Sequence, residues 1–231
     1  MRMIPGTRAI RKIIRTITFY TRLQKARKRG IVFERPNFIF LDRLDDSSVV
    51  VDVGCGHDAD FSRYFIDKYG VRAIALDPTK KHAPFLRSFE DRASGKFKHV
   101  GIAVASTDGT ITFHESCNNE SGSILAEHAN VQADQVSSYD VETVSLRSLP
   151  KRIEFAKIDL IKLDLEGAEY DLLRNADQQD LAPYDQIFVE FHHHCVEQYS
   201  ERDTQRTVET MHAKGMQSFT LDNHNYLFYR T

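Results

Sequence analysis

The amino-acid sequence predicts an α/β fold: a mostly parallel sheet with helices on both faces and an antiparallel hairpin at the C-terminal end. Short apolar segments alternate along the chain with segments of helical periodicity. Several of the short segments are apolar at nearly every position, which is typical of strands buried on both faces of a parallel sheet. The last two are separated by three residues, too few for a crossover helix, so they must pair antiparallel.

The elements can be placed in order along the chain. The predicted elements are a strand in VVVDVGCG (49–56), a helix at 61–68, a strand in VRAIALDP (71–78), a helix at 84–92, strands in FKHVGIAVAS (97–106), DGTITFHE (108–115), VETVSL (141–146) and IDLIKLDL (158–165), a helix from about residue 168, and strands in DQIFVEF (185–191), MQSFTL (216–221) and NYLFYR (225–230). The strands at 97–106 and 108–115 suggest a hairpin-like insertion. The polar segment 117–139 is predicted to be a loop with a short helix.

The segment IDLIKLDLEGAEYDLL (158–173) combines the pattern of a buried strand with several acidic residues. Asp159 precedes the apolar centre and is predicted to begin or edge the strand. Glu169 lies on the following helix, where an acid complements the N-terminal helix dipole, so we assign it a structural role. Asp164 and Glu166 fall at the carboxyl end of the strand, where open α/β sheets bind their ligands.

Length and charge predict one main domain preceded by a basic arm. The chain has 231 residues, and its 41% hydrophobic content is enough for a sizeable core. We place the arm at residues 1–47 and the main domain at residues 48–231. Residues 1–30 contain ten Lys or Arg and no Asp or Glu, whereas the remainder holds 21 basic and 33 acidic residues.

The arm is predicted to be an amphipathic helix. Its apolar residues follow helical spacing, at Ile10, Ile13, Ile14, Ile17 and Tyr20. This stripe either packs on the main domain or faces a membrane surface or an acidic partner while the basic residues stay solvated.

The sequence also predicts a compartment. No apolar run reaches the roughly 18–20 residues of a membrane-spanning helix, and the N-terminus has no continuous apolar signal block. The three cysteines are odd in number and far apart, which indicates a reducing environment. We expect a cytoplasmic protein, at the inner face of the membrane if the arm binds lipid.

The ends of the first two strands predict a nucleotide-type ligand. Gly54 and Gly56 let the backbone approach a ligand closely, in front of a helix N-terminus. Asp77 follows the next strand, 21 residues after Gly56, where a carboxylate can accept both hydroxyls of a ribose. Together these features indicate a ligand that contains adenosine.

These residues belong to a wider resemblance. VVVDVGCG with ALDP resembles the nucleotide-binding half of class I S-adenosylmethionine-dependent methyltransferases, which have a Rossmann-like sheet. IKLDLEGAEYDLL followed by IFVEFH resembles the FkbM family within that class. GIAVASTDGTITFHE, NNESGSIL and VETVSLRSL match the same family in order, so the resemblance covers about residues 48–230.

The resemblance implies roles for individual residues. Gly54, Cys55 and Gly56 run under the methionine portion of S-adenosylmethionine, Asp77 holds the ribose, Ile102 or Ala103 lies beside the adenine, and Asp52 braces the glycine turn. The chain departs from the family pattern in two places. Asp58 or Ala59 stands where a later glycine is usual, which predicts a differently shaped loop, and Arg147–Ser148 stands where acidic residues are common.

Methyl transfer to a hydroxyl needs an aligned acceptor and a group that takes its proton. Candidates at the ligand edge are Asp164, Glu166, Glu190 and His192. We favour His192 as the base, oriented by Glu190, because histidine titrates closest to neutral pH. The same residues with His194 could instead hold a divalent metal, which we do not favour, and zinc is disfavoured because no second Cys/His pair is present.

Two other classes of function stay open. A nicotinamide-dependent oxidoreductase also uses a glycine turn and an acid, but GCGHDA lacks the third glycine that a dinucleotide needs. The second class is a non-catalytic module that binds cofactor or glycan and that the basic arm recruits to a membrane. The resemblance favours O-methylation of a hydroxyl on a sugar, glycan or natural product. Nucleic acid is disfavoured because the positive charge is confined to the arm.

Overall fold

The computed structural model describes residues 20–34, 37–119, 121–125 and 135–230. Its strands are β1 (Ile31–Glu34), β2 (Phe38–Leu41), β3 (Val49–Val53), β4 (Arg72–Leu76), β5 (Phe97–Val100), β6 (Ala103–Val104), β7 (Gly109–Ser116), β8 (Gly122–Ser123), β9 (Val136–Val144), β10 (Leu160–Leu163), β11 (Gln186–Glu190), β12 (Gln217–Thr220) and β13 (Asn225–Tyr229). Its helices comprise residues 20–28 and the segments Asp60–Tyr69, Ala83–Arg92, Leu149–Arg152, Glu169–Asn175, Gln178–Leu181 and Glu201–Ala213.

The central element is a seven-stranded sheet with the order β12-β13-β11-β10-β3-β4-β5. Strands β11, β10, β3, β4 and β5 run parallel, whereas β13 is antiparallel to both β11 and β12. The predicted α/β sheet with a reversed C-terminal hairpin is therefore confirmed.

Strand β3 shows why both faces of the sheet are covered. Its side chains alternate between two cores, as the period of two requires. Val49, Val51 and Val53 pack into one hydrophobic cluster, whereas Val50 packs with Phe188 into another. The first cluster includes residues of the helices Glu169–Asn175 and Glu201–Ala213, and the second includes residues of the helix Asp60–Tyr69.

The register of the central strands brings their carboxyl ends to one edge. Val53 at the end of β3 pairs with Leu163 of β10 and with Leu76 of β4. The residues that follow these three strands, which include the glycine turn, must therefore emerge side by side. This is the edge at which open α/β sheets bind ligands.

A second sheet, with the order β6-β9-β7-β8, lies outside the predicted pattern. The segment 97–106 is not one strand, because the chain turns where the Ile102 N–H donates to the Val100 carbonyl at 2.9 Å. Strand β6 then pairs with β9, and β7 pairs with β9 rather than forming a hairpin with 97–106. The predicted strand 141–146 also belongs to this sheet. Residues 122–123 and 136–139 of the predicted loop are strands, and 126–134 lie outside the described residues.

The described end of the arm is part of the core. Residues 20–28 are helical, and Ala26 is buried with the hairpin β1–β2. Phe40 of that hairpin contacts Phe65 edge to face, with ring centroids 4.8 Å apart. Strands β1 and β2 therefore pack on the sheet, although the sequence predicted that they belong to the arm. The isoleucine stripe lies outside the described residues. Among those described, no helix has the length and apolar character needed to cross a membrane.

We expect Gln186→Met to destabilise the contact between this hairpin and the sheet. The buried amide of Gln186 accepts the Leu41 N–H at 2.6 Å and donates to the Leu41 carbonyl at 3.4 Å. Methionine has a similar shape but leaves both backbone groups unpaired, which costs about 1–3 kcal/mol of the free energy of unfolding. Urea denaturation measures the loss. The exposed Gln178→Met is the control, and an equal effect of both substitutions would contradict the prediction.

Candidate cofactor and catalytic site

A cavity opens at the carboxyl ends of β3, β4 and β10. Residues that follow these strands form its floor, and residues of the second sheet form a wall. The lining residues are Val53, Gly54, Gly56, Leu76, Asp77, Pro78, Thr79, His82, Ile102, Ala103, Val104, Phe113, Ser121, Gly122, Ser123, Ile124, Asp164, Leu165, Glu166 and Ala168. Both sequence-predicted groups, the glycine turn with its acid and the LDLEG segment, thus meet in one place.

Gly54 allows β3 and β10 to approach each other at the cavity. Its φ is +72°, a conformation that L residues rarely adopt. A Cβ at this position would lie 2.0 Å from the backbone carbonyl oxygen of Asp164. The glycine is therefore needed to let the Asp164 backbone reach the turn, and this contact joins the predicted cofactor turn to the predicted catalytic segment.

Lys162 is a site residue that the sequence analysis missed. It lies under the glycine turn, and its Nζ donates to the Gly54 carbonyl at 3.0 Å and to Asp164 Oδ2 at 3.0 Å. Asp52 Oδ1 is 3.7 Å from the same nitrogen. Burial opposes the charge of Lys162, but the carboxylates of Asp164 and Asp52 outweigh it and raise the pKa of the ammonium. A lysine inside the apolar strand LIKL was the available signal, because lysine is almost never fully buried unless paired.

Asp52 lies beneath the turn rather than in the cavity. It is fully buried, and its Oδ2 accepts the Ser62 backbone N–H at 3.1 Å and the Ser62 hydroxyl at 2.8 Å. Burial raises the pKa of this carboxyl, and Lys162 only partly offsets the effect. Asp52 therefore links the first strand, the following helix and Lys162, a placement that agrees with the bracing role implied by the resemblance.

Asp77 is held in place from several sides. Its Oδ2 accepts the Gly56 N–H at 3.0 Å and lies 3.1 Å from His82 Nδ1, while its Oδ1 accepts the Thr79 N–H at 2.9 Å. Burial alone would raise the pKa of Asp77, but the hydrogen bonds of His82 and Thr79 lower it. A carboxylate oxygen has two lone pairs, so Oδ1 can also accept a ribose hydroxyl. His82, which is buried and lines the cavity, has no clear signal in the sequence pattern.

The remaining cofactor candidates occupy different places. Ile102 and Ala103 are buried and form an apolar part of the wall, as adenine requires. Cys55 does not line the cavity; its thiol lies 3.9 Å from Asp77 Oδ2, and burial raises its pKa well above the usual value. Ala59 has a φ of +47°, so the alanine takes the left-handed conformation that a glycine adopts without strain. Arg147 does not line this cavity, and its guanidinium pairs with the Asp177 carboxylate at 2.8 Å.

Asp164, Glu166 and His192 form a cluster at the edge of the cavity. His192 Nε2 lies 3.4 Å from Asp164 Oδ1 and 3.5 Å from Glu166 Oε2. His192 Nδ1 lies 3.2 Å from Glu169 Oε1. Burial opposes protonation of this imidazole, but Glu169, Asp164 and Glu166 together raise its pKa to about 10. Both carboxylates line the cavity, and the histidine lies behind them.

Glu169 performs the task that the sequence analysis gave to Glu190. It begins the helix Glu169–Asn175, as expected, but it is fully buried and accepts the backbone N–H groups of Gly167 and His192, each at 2.9 Å. The expectation that Glu190 orients the His192 ring is therefore wrong. Periodicity could not reveal this contact, because it joins two segments that are distant in sequence.

Glu190 and His194 lie at the margin of the cluster. Glu190 is half-buried, and burial together with the charge of Asp164 raises its pKa. His194 is exposed, and its ring centroid is 5.0 Å from that of His224. Within the described part of the chain, the atoms that converge closely enough to share an ion come from Asp164, Glu166 and His192.

The fold of this chain is similar to that of several solved structures. The fibrillarin pre-rRNA processing protein of Methanococcus jannaschii has a TM-score of 0.50 at 8% identity, with 87% of this chain and 71% of that chain covered. TrmK of M. capricolum, solved with S-adenosylhomocysteine, has a TM-score of 0.41 at 12% identity, with 80% and 62% covered. A methyltransferase from Pyrococcus furiosus has a TM-score of 0.42 at 9% identity, with 95% and 98% covered. The chain thus spans less than two thirds of TrmK.

The sheet order, the reversed final hairpin and the family match given below define a class I methyltransferase fold, whose cofactor is S-adenosylmethionine. The family follows from the sequence itself. The model of the methyltransferase FkbM domain matches residues 11–217, so the chain belongs to the FkbM methyltransferase family. A search among curated proteins gave no match. The match includes most of the segment that the sequence analysis placed in the arm.

We expect Lys162→Met to destabilise the protein by about 3–5 kcal/mol. The substitution leaves Asp52 buried without its countercharge, and the loss of one partner of a buried pair has this magnitude. Urea denaturation measures the change. Lys157→Met, at an exposed lysine of the same segment, is the control and should cost no more than about 1 kcal/mol. Equal losses for both variants would contradict the bracing role.

We expect Asp77→Asn to weaken binding of S-adenosylhomocysteine by about tenfold or more, because a hydrogen bond to a charged group contributes about 1.5–3 kcal/mol. Isothermal titration calorimetry measures the affinity, and thermal unfolding checks that the variant is folded. Asp58→Asn, at an exposed position of the glycine loop, should bind like the parent protein. Unchanged affinity in Asp77→Asn would show that another group holds the ribose.

Proposed function

We propose that this protein transfers the methyl group of S-adenosylmethionine to a hydroxyl of a sugar, glycan or natural product. The observation that carries this proposal is the position of Asp164 and Glu166. Both carboxylates line the cofactor cavity beside the glycine turn, where the acceptor must meet the methyl group. Carboxylates accept hydrogen bonds from hydroxyls, so this edge of the cavity suits an alcohol acceptor.

The chemistry places modest demands on the protein. The acceptor oxygen attacks the methyl carbon in line, the carbon–oxygen bond forms, the carbon–sulfur bond breaks, and S-adenosylhomocysteine leaves. The sulfonium is already an activated donor, so alignment of oxygen, carbon and sulfur is the main task. The hydroxyl must also lose its proton, because an alcohol is a weak nucleophile.

We infer that a carboxylate, rather than His192, takes up the proton. Both nitrogens of His192 face carboxylates, with Glu169 at Nδ1 and Asp164 and Glu166 at Nε2. Asp164 Oδ2 is also paired with the Lys162 ammonium at 3.0 Å, so this carboxylate is already engaged. Glu166 is therefore the proposed proton acceptor, and His192 holds the two carboxylates in position.

The acceptor class rests on charge as well as on the site. Outside residues 1–30 the chain has 21 basic and 33 acidic residues, which disfavours a surface that follows nucleic-acid phosphates. The ten basic residues within residues 1–30 would suit an anionic membrane surface and thus a lipid-linked glycan at the cytoplasmic face. The family membership favours catalysis over the nicotinamide-dependent and non-catalytic alternatives.

We expect Glu166→Gln to lower methyl transfer to a hydroxyl acceptor by about 10²–10⁴-fold, because it removes the proton-accepting group. Transfer from a labelled methyl donor to a panel of sugars and glycans, under single-turnover conditions, measures the rate. Affinity for S-adenosylhomocysteine should be unchanged. Asp171→Asn is the matched control, since it removes an exposed carboxylate from the adjacent helix.

Two results would contradict the proposal. One is full transfer activity in Glu166→Gln. The other is the absence of transfer to every hydroxyl acceptor while the parent protein binds the cofactor. Mass spectrometry of cell glycans, with and without the protein, identifies the acceptor through the loss of one methyl group.

A further inference from the structure

We propose that Asp164, Glu166 and His192 bind a divalent cation that receives the acceptor hydroxyl. The inference deepens the proposed function, because it names how the same edge of the cavity recognises its substrate. It predicts an acceptor with two neighbouring hydroxyls, such as the vicinal diol of a sugar. The ligand atoms are His192 Nε2, Asp164 Oδ1 and Glu166 Oε2.

The spacing of these atoms fits an ion. They all lie within 4.8 Å of one another, and Nε2 is 3.4 Å from Asp164 Oδ1 and 3.5 Å from Glu166 Oε2. Hydrogen bonds between charged groups are shorter, at about 2.7–2.9 Å. Neighbouring ligands of an octahedral ion with bonds of about 2.1 Å lie about 3 Å apart. The two distances from Nε2 to the carboxylates are therefore about half an ångström longer than in such a site, and an ion would draw the three ligands together.

The protein already holds two of the three ligands from the opposite side. His192 Nδ1 faces Glu169, which is fully buried and fixed by the Gly167 N–H, so the ring presents Nε2 to the two carboxylates. Asp164 Oδ2 is paired with Lys162, which leaves Oδ1 for the ion. A carboxylate behind a ligating histidine is the common arrangement in metal sites, because it fixes the orientation of the imidazole.

The local charge also favours a cation. Three carboxylates surround His192, with Glu169 Oε1 3.2 Å from Nδ1 and with Asp164 Oδ1 and Glu166 Oε2 3.4 and 3.5 Å from Nε2. A divalent ion on the three ligands would offset this negative charge.

The donor set points to a hard or intermediate ion such as Mn²⁺ or Mg²⁺. Carboxylates suit these ions, and one imidazole is compatible with Mn²⁺. Three protein ligands leave open positions, where two neighbouring hydroxyl oxygens can bind. There the ion would lower the pKa of the reacting hydroxyl, whose proton passes to the carboxylate of Glu166 as the carbon–oxygen bond forms and the carbon–sulfur bond breaks.

Binding of Mn²⁺ to the full chain, followed by electron paramagnetic resonance, tests the site without reference to activity. We expect the parent protein to bind one Mn²⁺, with a spin-echo signature of one coordinated imidazole nitrogen. Glu166→Gln should weaken binding by at least about tenfold, since even substitutions behind the ligands cost 10–100-fold. Asp171→Asn should bind like the parent protein. Mn²⁺ that shows no nitrogen coupling, or is bound equally by Glu166→Gln, would overturn the proposal.

Chelation separates this inference from the proposed function. We expect transfer to a vicinal diol to stop after treatment with EDTA and to return with Mn²⁺. Transfer that continues unchanged in metal-free protein would overturn the metal site and leave the proposed function intact. Specific Mn²⁺ binding, with no transfer to any hydroxyl acceptor, would support the site and contradict the proposed function.

Discussion

The buried ammonium of Lys162 connects the parts of this site. It lies between the carboxylates of Asp52 and Asp164 and donates to the carbonyl of Gly54. One side chain therefore holds both the glycine turn and the LDLEG segment in place. Removing any of these charges would leave another buried without compensation, which is expensive in a low-dielectric interior. The backbone contact between Gly54 and Asp164 depends on the same alignment of β3 and β10. The glycine turn and the LDLEG segment are therefore held as one unit at the cavity.

The edge of the cavity that contains Asp164 and Glu166 depends on a second set of contacts, which Glu169 makes. This buried carboxylate binds the backbone of Gly167 and His192 and faces the His192 ring, so it joins the turn after β10 to the turn after β11. The geometry leaves Asp164 and Glu166 exposed to the cavity, with His192 behind them. A cluster held in this way can accept a hydroxyl proton or coordinate an ion with little rearrangement.

The second sheet turns an open strand edge into a cavity. Phe113 and Gly122 line the wall opposite the glycine turn, and the Ser123 hydroxyl donates to the Glu166 carbonyl at 3.1 Å. This hydrogen bond links the wall directly to the acceptor edge. The position of the second sheet thus determines both how much room the cofactor has and how the LDLEG segment is held.

The sequence by itself determined the parallel sheet, its order of strands and helices, the reversed final hairpin and the family. These follow from local periodicity and from turn residues, which act over a few positions. It also placed Gly54, Asp77, Asp164 and Glu166 at one edge, because parallel strands end together. Only the tertiary structure decided the roles of Lys162, Glu169 and His82. Each of them acts on a partner from another element, and the choice among several candidate partners depends on strand register and packing. The split of residues 97–106 between two sheets has the same origin, because pairing with β9 is a long-range contact that local pattern does not encode.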